Sequence, residues 1–347
     1  QFVNILYSVV DRMYVGHIAG AGDAALAGVG VCAPVGTMIT ALGALIGFGG
    51  GPLMSIRMGR RDMDGARQIV ANSFYLLLAL SVMATVPLLV FRRQILFTFG
   101  CSEALWEYAE AYFTTYVSGT VFAVMSYGLN QITMSQGFSS TAMRSVMLGA
   151  AVNIALDPVF IFALNMGVRG AALATVIGQI FGMALGLWGV FRQQKVLNVN
   201  MREFKWRGQT IKDIYRVGLP GIVMQSVVSV MTAGMNGILI AFSQTAVNVL
   251  GVYFKLQTFV FMPVFGLNQG ALPVMGYNYG ARNRKRLMGA YKITLTAAVV
   301  IMALGLVLFQ LLPEQMLMLF VDRTDAAAAQ EMIEVGVPAL KTISLSF

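Results

Sequence analysis

Asn153 and Asp157 stand four residues apart, which places an amide and a carboxylate on one face of a helix. Pro158 follows directly and has no N–H, so the carbonyl of Ile154 loses its helical donor within a turn of both side chains. Carboxylate, amide and unpaired carbonyl together make a small hard-cation site, with Asp157 and Asn153 as the groups that would hold Na⁺. The plainer alternative puts Asp157 at the aqueous end of its helix, with Asn153 packed against a neighbour. Asp11 is the second candidate. It is the one acid in an apolar stretch where Asn4, Tyr7 or Ser8, and Asp11 recur at helical spacing. Either it is a buried carboxylate that binds a cation or proton, or it pairs with Arg12 at a helix end.

Further polar positions could line a cavity. Gln225, Ser229, Thr232 and Asn236 form a stripe at i, i+4, i+7 and i+11, although contacts between helices explain such stripes equally well. Lys255 lies deep in an apolar stretch, where it pairs with a carboxylate, lines a wet cavity or caps carbonyls. Other chemistry is excluded. Gly47-Phe48-Gly49-Gly50-Gly51 lacks the GK[ST] of a phosphate loop, Cys32 and Cys101 have no CxxC spacing, and the lone His17 has no cysteine near it. No DDxxD-type acidic metal motif supports a membrane enzyme, and the chain reads as a non-enzyme with no cofactor.

The elements that position these residues must sit in lipid. Hydrophobic residues make up 57% of the chain, charged residues 11%, and the mean hydropathy is +0.73, outside the range of soluble globular domains. A membrane helix takes about 20 apolar residues, which places about ten spans: 2–16, 24–55, 68–91, 105–127, 132–163, 168–191, 214–242, 246–277, 288–312 and 327–347. The chain is apolar from Phe2 and ends in Ile343-Ser344-Leu345-Ser346-Phe347, so both ends read as cut within spans. Seventeen Lys and Arg fall in the loops after the even-numbered spans and four in the opposite loops. The positive-inside rule puts the even loops and the N-terminus in the cytoplasm. That rule also accounts for the net charge of +9, and no aromatic-interleaved basic patch suggests nucleic acid.

A faint internal repeat organises the spans. At an offset of 221, Gly16, Gly30, Gly49, Pro52, Gly59 and Arg61 fall on Gly237, Gly251, Gly270, Pro273, Gly280 and Arg282. The offset covers six spans, an even number, so both copies share one orientation, as in parallel-repeat transporters. This predicts an all-α polytopic membrane protein with an N-terminal lobe at 1–195, a cytoplasmic linker at 196–213 and a C-terminal lobe at 214–347. Asp11 maps onto Thr232, so the acid is not duplicated.

At this resolution the residues resemble a known family. Leu6-Tyr7-x-x-Val10-Asp11-x-x-Tyr14-Val15-Gly16, Asn153-Ile154-x-Leu156-Asp157-Pro158 and Gly167-Val168-x-Gly170-Ala171-Ala172 are similar to motifs of MATE (multidrug and toxic compound extrusion) transporters of bacterial type. So are Gly218-Leu219-Pro220 and Pro273-x-x-Gly276-Tyr277-Asn278-x-Gly280-Ala281. The resemblance implies two pseudo-symmetric six-helix lobes and twelve spans, of which about ten are present. It implies a cation or proton site at Asp11, Asn130, Asn153, Asp157 and Thr175, with Asn130 and Thr175 assigned by the resemblance alone. It further implies a monomeric antiporter of the bacterial cytoplasmic membrane that exports cationic or amphipathic small molecules against H⁺ or Na⁺. Tyr7, Gln225, Ser229, Thr232, Asn236 and Lys255 are candidates for its substrate cavity. A flippase of lipid-linked oligosaccharides shares the architecture. It would need a broad cationic cavity, for which Lys255 and Lys341 are the deep cations on offer.

Overall fold

The computed structural model describes residues 2–18, 22–193, 205–318 and 326–346, and every regular element among them is helical. That is the expected answer to a lipid solvent, in which each backbone N–H and C=O must be satisfied within its own segment. The chain forms two compact units, Gln1–Ile222 with Gly276–Asn283, and Val223–Met275 with Arg284–Phe347.

The first unit holds α1 (Phe2–Gly16), α2 (Gly22–Gly59), α3 (Met63–Val90), α4 (Arg92–Thr98), α5 (Trp106–Ser118), α6 (Thr120–Ser135), α7 (Ser139–Pro158) and α8 (Val168–Trp188). It also takes the start of α9 (Gly208–Leu239) and the end of α10 (Gln244–Gly280). The second unit contains the remainder of α9 and α10 with α11 (Arg284–Leu311), α12 (Pro313–Met318) and α13 (Ala326–Ser344). The core of the first unit lies among α2, α3, α5 and α6, where Ile39, Ile46, Leu77, Phe113, Leu129 and Ile132 are fully or almost fully buried. The opposite face of α3 exposes Val82, Met83, Val86 and Val90 at helical spacing, a stripe suited to acyl chains.

Among the described residues, six helices are long and apolar enough to cross a membrane by length and composition: α2, α3, α7 and α8 with their π-helical extensions, α10 and α11. The remaining expected spans fall on α1, on α5 with α6, on α9 and on α13. The structure moves one boundary. The sequence places the fourth span at 105–127 and begins the fifth at 132, whereas α6 runs to Ser135 and α7 starts at Ser139. The turn residue is Gly137, whose φ of +93° lets the amides of Gly137 and Phe138 bond back to Met134 and Thr133. Apolar pattern alone could not see that turn, because Leu129 and Ile132 are core residues on both readings.

Part of the expected linker, residues 196–204, lies outside the described residues, as do residues 194 and 195 before it. Its continuation is held on α3, where buried Asn72 donates to the Lys205 carbonyl at 3.3 Å and accepts from the Arg207 amide at 3.4 Å. Trp206 rests 6.2 Å from the Tyr75 ring. Gly208 then begins α9.

The internal repeat reappears as geometry within the first unit. The ends of α2 and α10 close in the same way: Arg61 N–H bonds Met58 and Asp62 N–H bonds Arg57, while Arg282 N–H bonds Tyr279 and Asn283 N–H bonds Asn278. This is the Schellman closure, and in both copies an arginine with left-handed φ (61° and 54°) occupies the place usually given to glycine. The two ends also cross each other. A Cβ on Gly59 would collide with the Tyr277 carbonyl, and a Cβ on Gly280 would collide with the Ile56 carbonyl. Since 277 and 280 are 56 and 59 displaced by 221, the crossing is self-complementary.

Candidate functional site

The site is built on the α7–α8 pair, and glycine sets its spacing. Gly149 and Gly178 face each other's carbonyls, so that a Cβ at Gly178 would lie 2.5 Å from the Gly149 oxygen and 3.3 Å from Asn153 Cβ. Small residues at a helix crossing let the backbones approach, as membrane helix pairs commonly do. One turn along, Ser145 Oγ donates to the Gly182 carbonyl at 2.7 Å and fastens the same pair. Farther along α7, Asn153 Nδ2 donates to Asp157 Oδ1 and to Thr175 Oγ1, each at 3.3 Å. Thr175 Oγ1 in turn donates to the Ala171 carbonyl at 3.0 Å.

Pro158 does not end its helix. The chain continues as a π-helical turn, Val159–Ala163, a geometry often found at functional sites because it re-aims side chains and frees carbonyls. Gly170 at the start of α8 packs on the Phe160 backbone and holds that turn in place.

Asp157 is completely buried, Asn153 is 2% exposed and Asp11 is 8% exposed. Asp11 therefore belongs to the interior, whereas its neighbour Arg12 is exposed. Helix α1 packs on α7 and brings the two carboxylates within electrostatic reach of each other. Tyr7 and Tyr112 also lie within reach of Asp11, and the ring of Tyr112 stacks on that of Tyr116 at 5.8 Å. The most informative observation is what these groups lack. Asp11 Oδ1, Asn153 Oδ1 and Asp157 Oδ2 are buried and accept no hydrogen bond among the described residues. Buried oxygens of this kind are costly unless a donor or a cation meets them. Carboxylate and amide oxygens without donors form a hard-cation ligand set, so the residues fit Na⁺ or a proton.

The structure thus brings together Asp11, Asn153, Asp157 and Thr175. It directs Asn130 elsewhere: the Nδ2 of Asn130 donates to the Ala142 carbonyl at 2.6 Å and ties α6 to α7. Of the cavity candidates, Tyr7 is half-buried beside the acid, Thr232 is half-buried on α9 and Lys255 is exposed on α10. The side chains of Gln225, Ser229 and Asn236 lie outside the described residues. The sequence reading missed Tyr112 and Tyr116. Their i, i+4 spacing was a usable signal, hidden by the many aromatic residues of the chain.

Comparison with known proteins follows the same lines. The profile of the family described as MatE matches residues 1–159 and 220–347. The multidrug export protein MepA of Staphylococcus haemolyticus is 24% identical over 348 residues, covering 100% of this chain and 76% of its own. MepA of Staphylococcus saprophyticus is 23% identical, with the same coverage. Among solved structures, MATE in the bent conformation superposes with a TM-score of 0.90 at 28% identity, over 99% of this chain and 74% of that one. MATE in the straight conformation gives 0.87 at 29%, over 99% and 75%. An outward-facing multidrug resistance MATE family transporter of the MOP superfamily gives 0.87 at 28%, again over 99% and 75%.

Proposed function

The chain belongs to the MatE family, and from that membership we propose a multidrug exporter that moves amphipathic, often cationic, small molecules out of the cell against an inward flow of H⁺ or Na⁺. It is a multi-pass membrane transporter and not an enzyme. The similarity to MepA proteins supports drug export. One observation carries the coupling: two buried carboxylates, on α1 and α7, keep oxygens that no donor among the described residues satisfies.

The mechanism follows from charge. Asp11 and Asp157 repel each other in a low-dielectric interior when both are ionised and nothing lies between them. A cation or proton at the site removes that repulsion and lets α1 settle on α7. The bound ion therefore favours one arrangement of α1 over another, and a ligand shifts a conformational equilibrium by its differential affinity for the two states. The inward step is driven from outside, since one charge moving down 100 mV releases about 2.3 kcal/mol. Asn153 and Thr175 hold Asp157 in register while this occurs. The loops with the basic excess face the cytoplasm of a bacterial cell on this reading, the N-terminus lies on the same side, and the transporter acts as a single chain.

The test is Asp157→Asn in cells that rely on the protein to clear ethidium. Efflux should fall to the background of cells without the transporter, with normal amounts of protein in the membrane. Undiminished efflux would remove Asp157 from coupling.

A further inference from the structure

Gln179 stands one helical turn beyond Thr175 on α8, next to the glycine that packs on Asn153. Its side chain reaches α5, where it hydrogen-bonds the hydroxyl of Tyr116. That bond orients the amide: with the NH₂ group at the phenol oxygen, the carbonyl is left over. Gln179 Oε1 is indeed buried, and it accepts no hydrogen bond among the described residues. It shares this property with Asp11 Oδ1, Asn153 Oδ1 and Asp157 Oδ2. Thr175, which is bonded to Asn153, stands between Gln179 and those three groups along the face of α8.

A proton and a metal ion make different demands on such a site. A proton needs one carboxylate oxygen and an acceptor. A dehydrated monovalent metal ion needs several oxygens to replace its water, and neutral carbonyl oxygens serve this purpose without adding repulsion. Two carboxylates with one amide oxygen are a sparse set. A second amide oxygen, held beside Tyr116 and one turn of α8 beyond Thr175, extends it.

We propose that Gln179 is an ion-specificity residue of the coupling site, its carbonyl being the neutral oxygen that lets the site take Na⁺ in preference to a proton. The inference rests on the coupling role of Asp11 and Asp157 given above. It assigns Gln179 to the ion and Tyr116 to positioning Gln179.

The experiment reads Na⁺ binding directly, as the Na⁺-induced rise in melting temperature of the purified chain in detergent, with choline as the balancing salt. Gln179→Met keeps the length of the side chain and removes its oxygen. It should raise the half-saturating Na⁺ concentration about tenfold or more, the usual loss when a metal site is stripped of one supporting group. Gln179→Glu keeps an oxygen in place and adds charge, and it should lower that concentration. Should Gln179→Met fail to fold, Gln179→Glu alone decides. Wild-type half-saturation in Gln179→Met, no tightening in Gln179→Glu, or no Na⁺-specific rise in the wild type would each overturn the inference. Asp157→Asn separates the two levels. If it abolishes both efflux and the Na⁺ response while Gln179→Met changes nothing, the role of Gln179 falls and the coupling reading stands. If Asp157→Asn leaves both intact, the coupling reading itself falls, and this inference with it.

Discussion

Asn153 on α7 and Thr175 on α8, 22 residues apart in sequence, are joined by a 3.3 Å hydrogen bond in which the threonine is the acceptor. The same amide group also reaches Asp157, so one nitrogen connects two helices and the buried acid. Thr175 completes the chain by donating to the Ala171 carbonyl. Each link is individually modest, but the interior is dry, and a missing partner there costs more than the bond itself contributes.

Thr175→Val is the sharpest probe of that chain because it preserves shape. The variant leaves the buried Asn153 amide one acceptor short, at a cost of about 1–3 kcal/mol. Thermal unfolding in detergent should show a lowered midpoint, and ethidium efflux should slow. A variant unchanged in both would take Thr175 out of the site.

Gly178→Ala tests the spacing of α7 and α8. The added methyl meets the Gly149 carbonyl and Asn153 Cβ, both on α7, so the helices must part. Overpacking of this kind costs about 1–3 kcal/mol. Transport should suffer more than in a control such as Gly289→Ala, where no described residue lies near the new Cβ. Equal losses in the two variants would argue that the crossing has no special bearing on the site.

At the α2–α10 crossing, Gly59→Ala and Gly280→Ala should each lower stability by about 1–3 kcal/mol, since each new methyl strikes backbone and not a yielding side chain. Both strain the same crossing. Once it has opened for one methyl, the second costs less, so the double variant should fall short of the sum of the singles. Strict additivity in unfolding measurements would show that the two glycines do not share one contact.

Asp62 gives a prediction on pH. It caps α3 by accepting the Gly65 amide at 2.9 Å and pairs with Arg57 at 2.8 Å. The amide first, and the guanidinium after it, hold the carboxyl below its usual range. A depressed carboxyl stabilises the fold above its unfolded value, near pH 4, and that contribution disappears as the pH falls through the lowered folded value. Asp62→Ala should therefore cost about 1 kcal/mol at neutral pH, the worth of an N-cap. The melting curves of variant and wild type should converge in acid. A gap that persists there would mean that the carboxylate charge is not what stabilises the cap.

Much of this architecture was legible in the residues. Apolar runs and basic loops mark helices and their ends because lipid leaves the chain few alternatives. Asp11, Asn153 and Asp157 stood out because an ionisable or amide group in such a run is expensive. Other features left no mark. The split of the fourth span falls at Gly119, which packs closely against Val176, a contact that composition does not announce. The π turn after Pro158 arises where α8 presses Gly170 on the Phe160 backbone. Asn130 looked like a member of the site, yet its amide goes to Ala142, because a polar side chain takes whichever carbonyl the packing presents. Gln179 carries no mark in the sequence; it is the packing of α8 that sets its buried carbonyl one turn from Thr175.

The crossing of α2 and α10 has a consequence beyond packing. Gly59 meets the carbonyl of Tyr277, the counterpart of Ile56, and Gly280 meets that of Ile56 itself, while Gly276 faces its own counterpart, Ser55. That is the pattern of an isologous interface, in which a patch binds a second copy of itself about a two-fold axis. A homodimer of single repeats would make this same contact, with every substitution counted twice. Encoding both copies in one chain lifts that restriction. Ser55 can then oppose a glycine instead of another serine, and one half can carry Asp11 where the other carries Thr232.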